Sequence, residues 1–566
     1  MLSGSNGLGR ITSATGPYAM NEAPSLTELI TALSRPSAYP FPVDRVDVRQ
    51  THISAVFLVG EKVFKLKKPV RLPFLDFSTL EQRKHDCEEE VRLNRRLAPD
   101  VYLGVVPVRA TSAGLKIGDQ QPGAIVDWVV EMTRLPDEAM YLSRMARDVL
   151  TVSQVERLAR RVAEFHLQAR KSTVGDSPQV SRILECGDFE KIATSIRDNI
   201  AYAETQVGRI VSAPVCKRLR DATENALDRF KRLLQQRVTQ RMICDLHGDL
   251  HLDHVYLFED RQPPSDLVIV DCIEFNEGFR FIDVIADTAF CAMDFKFRGR
   301  RDLAKVFAHA YFAASHDDDG RALLPFYTAY RAAVRGKVDG ILAAEPEVPQ
   351  DQRDAASNRS QGYWLLALGE LEAVDRRPVL VLSSGLPGTG KSTVARGLTE
   401  ADGFRWIRSD AIRKELAQQP ADGTVKDSAA QSGAGIYSVE WTERTYGECL
   451  SRAVDALQAG ERVVVDATFH DDRRRLQFIQ AAIRLGVPAI WLRCEAQPAT
   501  VRTRLANRTN DLSDADWQIY QQLAAAWQPA SPMASRVLVP INAELPPPEM
   551  VQLARSSIYA FLNELS

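Results

Sequence analysis

The stretch GLPGTGKST, from Gly385 to Thr393, constrains this chain more than any other. It fits G-x-x-x-x-G-K-[ST], follows the apolar run PVLVLSSG and precedes the helix-like TVARGLTEA. A phosphate cradle requires that context. Gly385, Gly388 and Gly390 let the backbone wrap closely, so that successive N–H groups and the next helix N-terminus face phosphate oxygens. Lys391 is expected at the β- and γ-phosphates. Ser392, followed by Thr393, is expected to offer its hydroxyl to Mg2+. ATP and Mg2+ are therefore the expected cofactors.

Around the cradle, PVLVLSSG, FRWIRSD, RVVVDAT and AIWLRCE alternate with helical patterns. This order predicts an α/β domain with a parallel sheet over residues 378–566. Asp410, in RSDAIRKEL, stands at the end of the second strand and can take a proton from an acceptor hydroxyl. Arg413, three residues on, can hold an acceptor's anionic group. The plainer reading is a helix-capping Asp410 with a surface arginine. Asp466 ends VVVDAT, where a second magnesium-shell carboxylate belongs. Arg504 and Arg508 are four apart on a helix-like stretch and share a face. They form either a lid over the γ-phosphate or a solvated face. Tyr437, Trp441 and Tyr446 either face the acceptor or form helix core, and core is the plainer reading.

GLPGTGKST, SDAIR, VVVDAT and ATVRTRLANRTNDLSDAD together resemble the P-loop kinase group that includes polynucleotide kinases, zeta-toxin-like kinases and gluconate-type sugar kinases. That resemblance implies γ-phosphoryl transfer from ATP to a hydroxyl, with Asp410 as base and Arg413 at the acceptor.

Four charged residues upstream come in the order that protein-kinase-like chemistry uses. Lys65 lies in KVFKLKKPV, on a strand after a turn at Gly60. Glu90 lies in CEEEVRLNRRL, on a helix that Ser78 and Glu81 are expected to open as a capping box. Asp249 lies in HGDLHLDH, and Asp271 in VIVDCIEF, 22 residues on. VFKLKKPV, HGDLHLDH, IVDCIEF and RFIDVIADTAF resemble the aminoglycoside phosphotransferase family. The resemblance implies an α+β, bilobal kinase-like domain. In it Lys65 grips the α- and β-phosphates, supported by Glu90. Asp249 orients and deprotonates an acceptor hydroxyl, Asp271 holds Mg2+, and Asp283 and Asp287 brace the loop.

Two departures stand out. THISAVFLVG replaces a G-x-G-x-x-G loop, and His254 stands five residues after Asp249, where the family has an asparagine metal ligand. His254 is a candidate metal ligand, since imidazole can bind a divalent ion, but it is a poor partner for Mg2+, so the lobe is expected to bind one metal, bind ATP slowly, prefer a softer ion or be catalytically weak. A zinc site on His247, His251 and His254 lacks the helical H-E-x-x-H geometry, so no dedicated zinc site is expected.

A length of 566 residues predicts about two to four domains. The reading is a disordered leader over 1–24, a kinase-like domain over 25–342, a polar linker with a connecting helix over 343–377, and the P-loop domain. Eight scattered cysteines without a C-x-x-C pair argue against a zinc ribbon or a disulfide scaffold and fit a reducing cytoplasm. A net charge of −3 gives no globally basic surface, and no run is long and apolar enough for a membrane span.

Two functions fit these residues. One is a bifunctional ATP-dependent phosphotransferase acting on hydroxyls of a small molecule or a nucleic-acid end. The other is a nucleotide-sensing pseudokinase coupled to a regulatory P-loop ATPase. A nucleic-acid-end acceptor implies a basic groove beside Asp410, including Arg473, Arg474 and Arg475. Those arginines also read as a solvated run.

Overall fold

The computed structural model describes residues 24–72, 75–418, 438–507 and 515–564. The expected leader up to residue 23, Tyr437 and Arg508 lie outside the described residues. The chain divides into two compact units, Met1–Leu150 with Asp245–Arg280, and Thr151–Cys244 with Phe281–Ser566.

The first unit is built on a six-stranded sheet of β1 (Asp47–Gln50), β2 (Ser54–Val59), β3 (Lys62–Lys67), β4 (Tyr102–Thr111), β5 (Gly114–Ile117) and β6 (Ala124–Thr133). Their order across the sheet is β1-β2-β3-β6-β4-β5, antiparallel throughout. Gly60, at φ 58°, makes the β2–β3 turn expected from the sequence. Side chains alternate between faces. Phe64 and Leu66 enter a core with Leu29, Leu33, Phe57 and Val129, which leaves Lys65 and Lys67 on the other face of β3.

Helix α1 (Leu80–Asn94) carries Glu90. Its capping box is Thr79 with Gln82, one residue later than expected. The Ser78 hydroxyl is engaged by Asp76 at 2.6 Å and so does not cap the helix. Arg83 of α1 donates to Asp127 of β6 at 2.9 Å, a buried pair that fixes the helix on the sheet. A two-stranded pair, β7 (Val255–Leu257) and β8 (Leu267–Ile269), follows. The Asp249 loop enters β7, and the Asp271 loop leaves β8.

In the second unit, helix α2 (Val152–Lys171) buries Val155, Leu158, Val162 and Phe165, as its spacing predicts. The stretch expected as a polar linker is helical from Gln350, in a helix running to Leu371. Its Tyr363–Leu368 segment is buried, and Phe297 stacks on Tyr363 at 3.7 Å.

The C-terminal sheet contains β9 (Val379–Ser384), β10 (Arg405–Arg408), β11 (Arg462–Asp466), β12 (Ala489–Glu495) and β13 (Leu538–Asn542), in the order β10-β11-β9-β12-β13. All pairings are parallel, as expected. Every residue of β9 is buried, which suits a central strand covered on both faces. β13 has no counterpart in the sequence reading. Pro540 hides it, and an edge strand tolerates a proline. Among the described residues, no helix is long and apolar enough to cross a membrane.

Candidate functional site

The cradle sits at the C-terminal end of central β9 and leads into a helix over Lys391–Asp402. Gly385, Gly388 and Gly390 have φ of 146°, 79° and 89°. A Cβ on Gly385 would stand 2.4 Å from the Thr389 hydroxyl oxygen and 2.7 Å from the Cys494 carbonyl. The Thr389 hydroxyl donates to the Leu386 carbonyl at 2.8 Å, and the Ser383 hydroxyl to the Lys391 carbonyl at 2.9 Å. The loop's shape is thus set from within. Thr393 lies in the first turn of the helix.

Asp466 ends β11, in register with Ser383 of β9. It is 2% exposed, and among the described residues neither carboxylate oxygen has a hydrogen-bond partner. Burial raises its pKa. The Lys391 charge, the Ser392 hydroxyl and Arg408 act in the opposite direction, while Asp410 adds to the rise. Ser392 thus lies close enough to favour the carboxylate without meeting hydrogen-bond geometry. A buried carboxylate without a donor, beside a serine hydroxyl, supplies the hard oxygens that Mg2+ takes. The residues fit that ion.

Asp410 is two residues past β10, in the first turn of the helix Ser409–Gln418. Arg413 is 8% exposed and reaches Thr442 at 3.4 Å, so the surface reading of this arginine is set aside. Arg504 donates to the Ala543 carbonyl at 2.7 Å and to the Gly388 carbonyl at 3.5 Å, which ties it to the backbone of the cradle.

Arg473 and Arg474 pair with Glu443. Arg475 is fully buried, donates to the Gln528 and Pro529 carbonyls and stacks on Trp491. Arg474 and Arg475 are therefore built into the domain rather than into an open basic groove. Tyr446 is core. Its hydroxyl accepts from the Phe469 amide, and burial pushes its pKa up to about 12.

A second constellation lies in the first unit. Lys65 Nζ donates to Glu90 at 2.8 Å and to Asp271 at 2.8 Å. Lys67, two residues on and on the same strand face, donates to the other Glu90 oxygen at 2.7 Å and to Glu274. Glu90 is fully buried. The chain of ion pairs starts and ends on the loop 271–274. Asn94 adds a clasp, donating to the Glu90 carbonyl and accepting from the Cys272 amide, each at 2.9 Å.

The Asp271 amide donates to the Tyr102 hydroxyl at 3.1 Å. Asp271 has φ 64°, a conformation that costs a non-glycine residue about 1–3 kcal/mol and that functional sites often retain. Burial works against its charge, but Lys65 and His254 outweigh it and hold the carboxyl well below the usual range. For Lys65, burial is likewise outweighed, by Asp271, Glu90 and Glu274, and the ammonium is held well above its ordinary pKa. The sequence reading found Lys65, Glu90 and Asp271. It missed Lys67, which the two-residue strand period could have shown, and Asn94, Tyr102 and Glu274, for which no local signal exists.

His247 is spent on the backbone. Its Nε2 donates to the Val270 carbonyl at 3.0 Å, and its Nδ1 accepts from the Asp249 amide at 3.3 Å. His254 Nδ1 donates to the Asp249 carbonyl at 3.0 Å, and its Nε2 lies 3.5 Å from an Asp271 oxygen. Burial, then neighbouring His251, lowers the His254 pKa. Asp249 is part-exposed, with His251 Nε2 at 3.3 Å. The imidazoles make this donor set a poor match for Mg2+.

Residues 380–529 match the AAA domain family. Uncharacterized protein Rv2004c of Mycobacterium tuberculosis and Uncharacterized protein Mb2027c of Mycobacterium bovis are each 32% identical over 480 residues, covering 85% of this chain and 90% of the relative. Among solved structures, a sugar kinase from Janibacter sp. is 15% identical with a TM-score of 0.24, covering 32% of this chain and 92% of its own. A gluconokinase from Sinorhizobium meliloti is 17% identical with a TM-score of 0.26, covering 33% and 95%. With a nucleotide-binding P-loop domain of the AAA type in its C-terminal part, the chain belongs to the family of these uncharacterized mycobacterial proteins.

Proposed function

We propose that the chain is a bifunctional ATP-dependent phosphotransferase, with one phosphate-handling site in each unit. The observation that carries the reading is the buried Asp466 carboxylate beside Lys391 and Ser392, with Arg408 Nε 3.8 Å from one of its oxygens. When Mg2+ is bound there, it neutralises phosphate charge. Lys391 and the cradle amides hold the β- and γ-phosphates, and Asp410 receives the proton of an acceptor hydroxyl. Arg413 offers a cation to an anionic acceptor.

In the first unit, Lys65, held by Glu90, grips the α- and β-phosphates. Asp249 orients and deprotonates the acceptor hydroxyl. The acceptor classes are a small molecule or a nucleic-acid end, and the engagement of Arg474 and Arg475 speaks against a groove at that arginine run.

One observation favours the second reading, a sensor unit coupled to a P-loop ATPase. His254 stands where the aminoglycoside-kinase resemblance calls for an oxygen ligand, and Lys65 is already paired with Asp271. An unbiased metabolite screen with Mg2+-ATP, run on the full chain and on Lys391→Ala and Asp249→Ala, separates the two. Bifunctional transfer predicts distinct phosphorylated products, one set lost in each variant. If Asp249→Ala loses none, the first unit is a sensor. If Lys391→Ala loses none, the C-terminal assignment is wrong.

A further inference from the structure

We infer that the loop from Asp249 to His254 binds a transition-metal dication of the Co2+ and Zn2+ class, through Asp249, His251 and His254, in preference to Mg2+. The inference concerns ion binding alone; with Asp249 as a ligand it goes with the sensor reading of the first unit, not with Asp249 as an acceptor base.

One ligand atom from each of these three residues can be chosen so that all lie within 4.8 Å of one another. The turn Leu252–His254, closed by the His254 amide on the His251 carbonyl at 3.0 Å, brings the two imidazoles side by side, with ring centroids 3.9 Å apart. His251 Nε2 is 3.3 Å from an Asp249 oxygen.

A second observation is independent of that spacing. His254 gives its Nδ1 proton to a backbone carbonyl, the outer contact that orients a metal-ligating imidazole and raises its basicity. Its Nε2 then faces the Asp271 carboxylate at 3.5 Å.

Two nitrogens and a carboxylate form a set that prefers borderline transition metals, while Mg2+ demands oxygens. The imidazole side chains are mostly covered, at 8% and 15% exposure, whereas Asp249 and Asp271 are 30% and 48% exposed. The site is therefore open on its carboxylate side, where phosphate oxygens can complete the coordination. His247, spent on the backbone, takes no part.

The test is a Co2+ titration of the full-length chain, read by visible d–d absorption, with far-UV circular dichroism as the folding control. One equivalent of Co2+ should give a band with nitrogen ligation that survives about a hundredfold excess of Mg2+. His254→Asn should weaken Co2+ binding by more than about a hundredfold, beyond the roughly 10–100-fold that outer-contact changes alone can cause, and His251→Asn should do likewise. A band untouched by both folded variants overturns the inference. So does displacement of Co2+ from the native chain by Mg2+, which requires no variant.

Discussion

Lys67 is an ammonium at 1% side-chain exposure between two carboxylates, Glu90 and Glu274. Removing one member of a buried ion pair leaves uncompensated charge and costs about 3–5 kcal/mol. Lys67→Met should therefore destabilise the fold by roughly 3 kcal/mol in urea unfolding, and adding Glu274→Gln should recover part of that loss. Equal stability of native and Lys67→Met chains would contradict this role.

Asp466 predicts the opposite balance. Its buried carboxylate lacks a hydrogen-bond donor among the described residues. Asp466→Asn should therefore raise the thermal midpoint of the metal-free chain while abolishing Mg2+-dependent ATP binding, the trade that functional sites commonly make. At this scale the sequence was most informative where one residue type has one use. The lysine of the cradle, its glycines and the Lys65–Glu90–Asp271 set could all be read from types and order. Asn94 and Tyr102 could not, because they act through backbone groups that only the folded chain brings near.

The helix that follows the cradle is tied down at its far end. Asp402 accepts from Arg555 at 2.8 and 2.9 Å and from Tyr559 at 2.9 Å, both on the C-terminal helix Pro547–Glu564. Burial pushes the Asp402 pKa up, but these donors outweigh it and depress it. A carboxyl depressed in the folded state stabilises above its unfolded pKa, and that contribution is lost as pH falls through the folded value. Asp402→Asn should thus destabilise at neutral pH, by no more than about 1 kcal/mol for a part-exposed pair. The difference from the native chain should vanish in acid, as thermal unfolding across pH would show.

Elements were legible where periodicity was clean, as in α2 and the four apolar strands around the cradle. They were not where composition misled. Gln350–Gly362 is polar yet helical, because its helix is carried by the buried Tyr363–Leu368 half. The capping box slid from Ser78 to Thr79 because both residues suit an N-cap and only local hydrogen bonds choose between them.

At the scale of the molecule, the central claim is that each unit holds its own site for nucleotide phosphates. The order of motifs along the chain puts the phosphate cradle in its C-terminal part, where residues 380–529 match the AAA domain family. It did not foretell that residues 151–244 would share a unit with the C-terminal sheet, because the contacts that join them, such as Ser212 to the Gln458 carbonyl and Arg218 to the Gly460 carbonyl, link residues far apart in sequence. Equilibrium dialysis of a non-hydrolysable ATP analogue against the full-length chain tests the claim most directly. The account predicts two bound per chain, one after Lys391→Ala, one after Lys65→Ala, and none in the double variant. A native stoichiometry of one that Lys65→Ala leaves unchanged would contradict it.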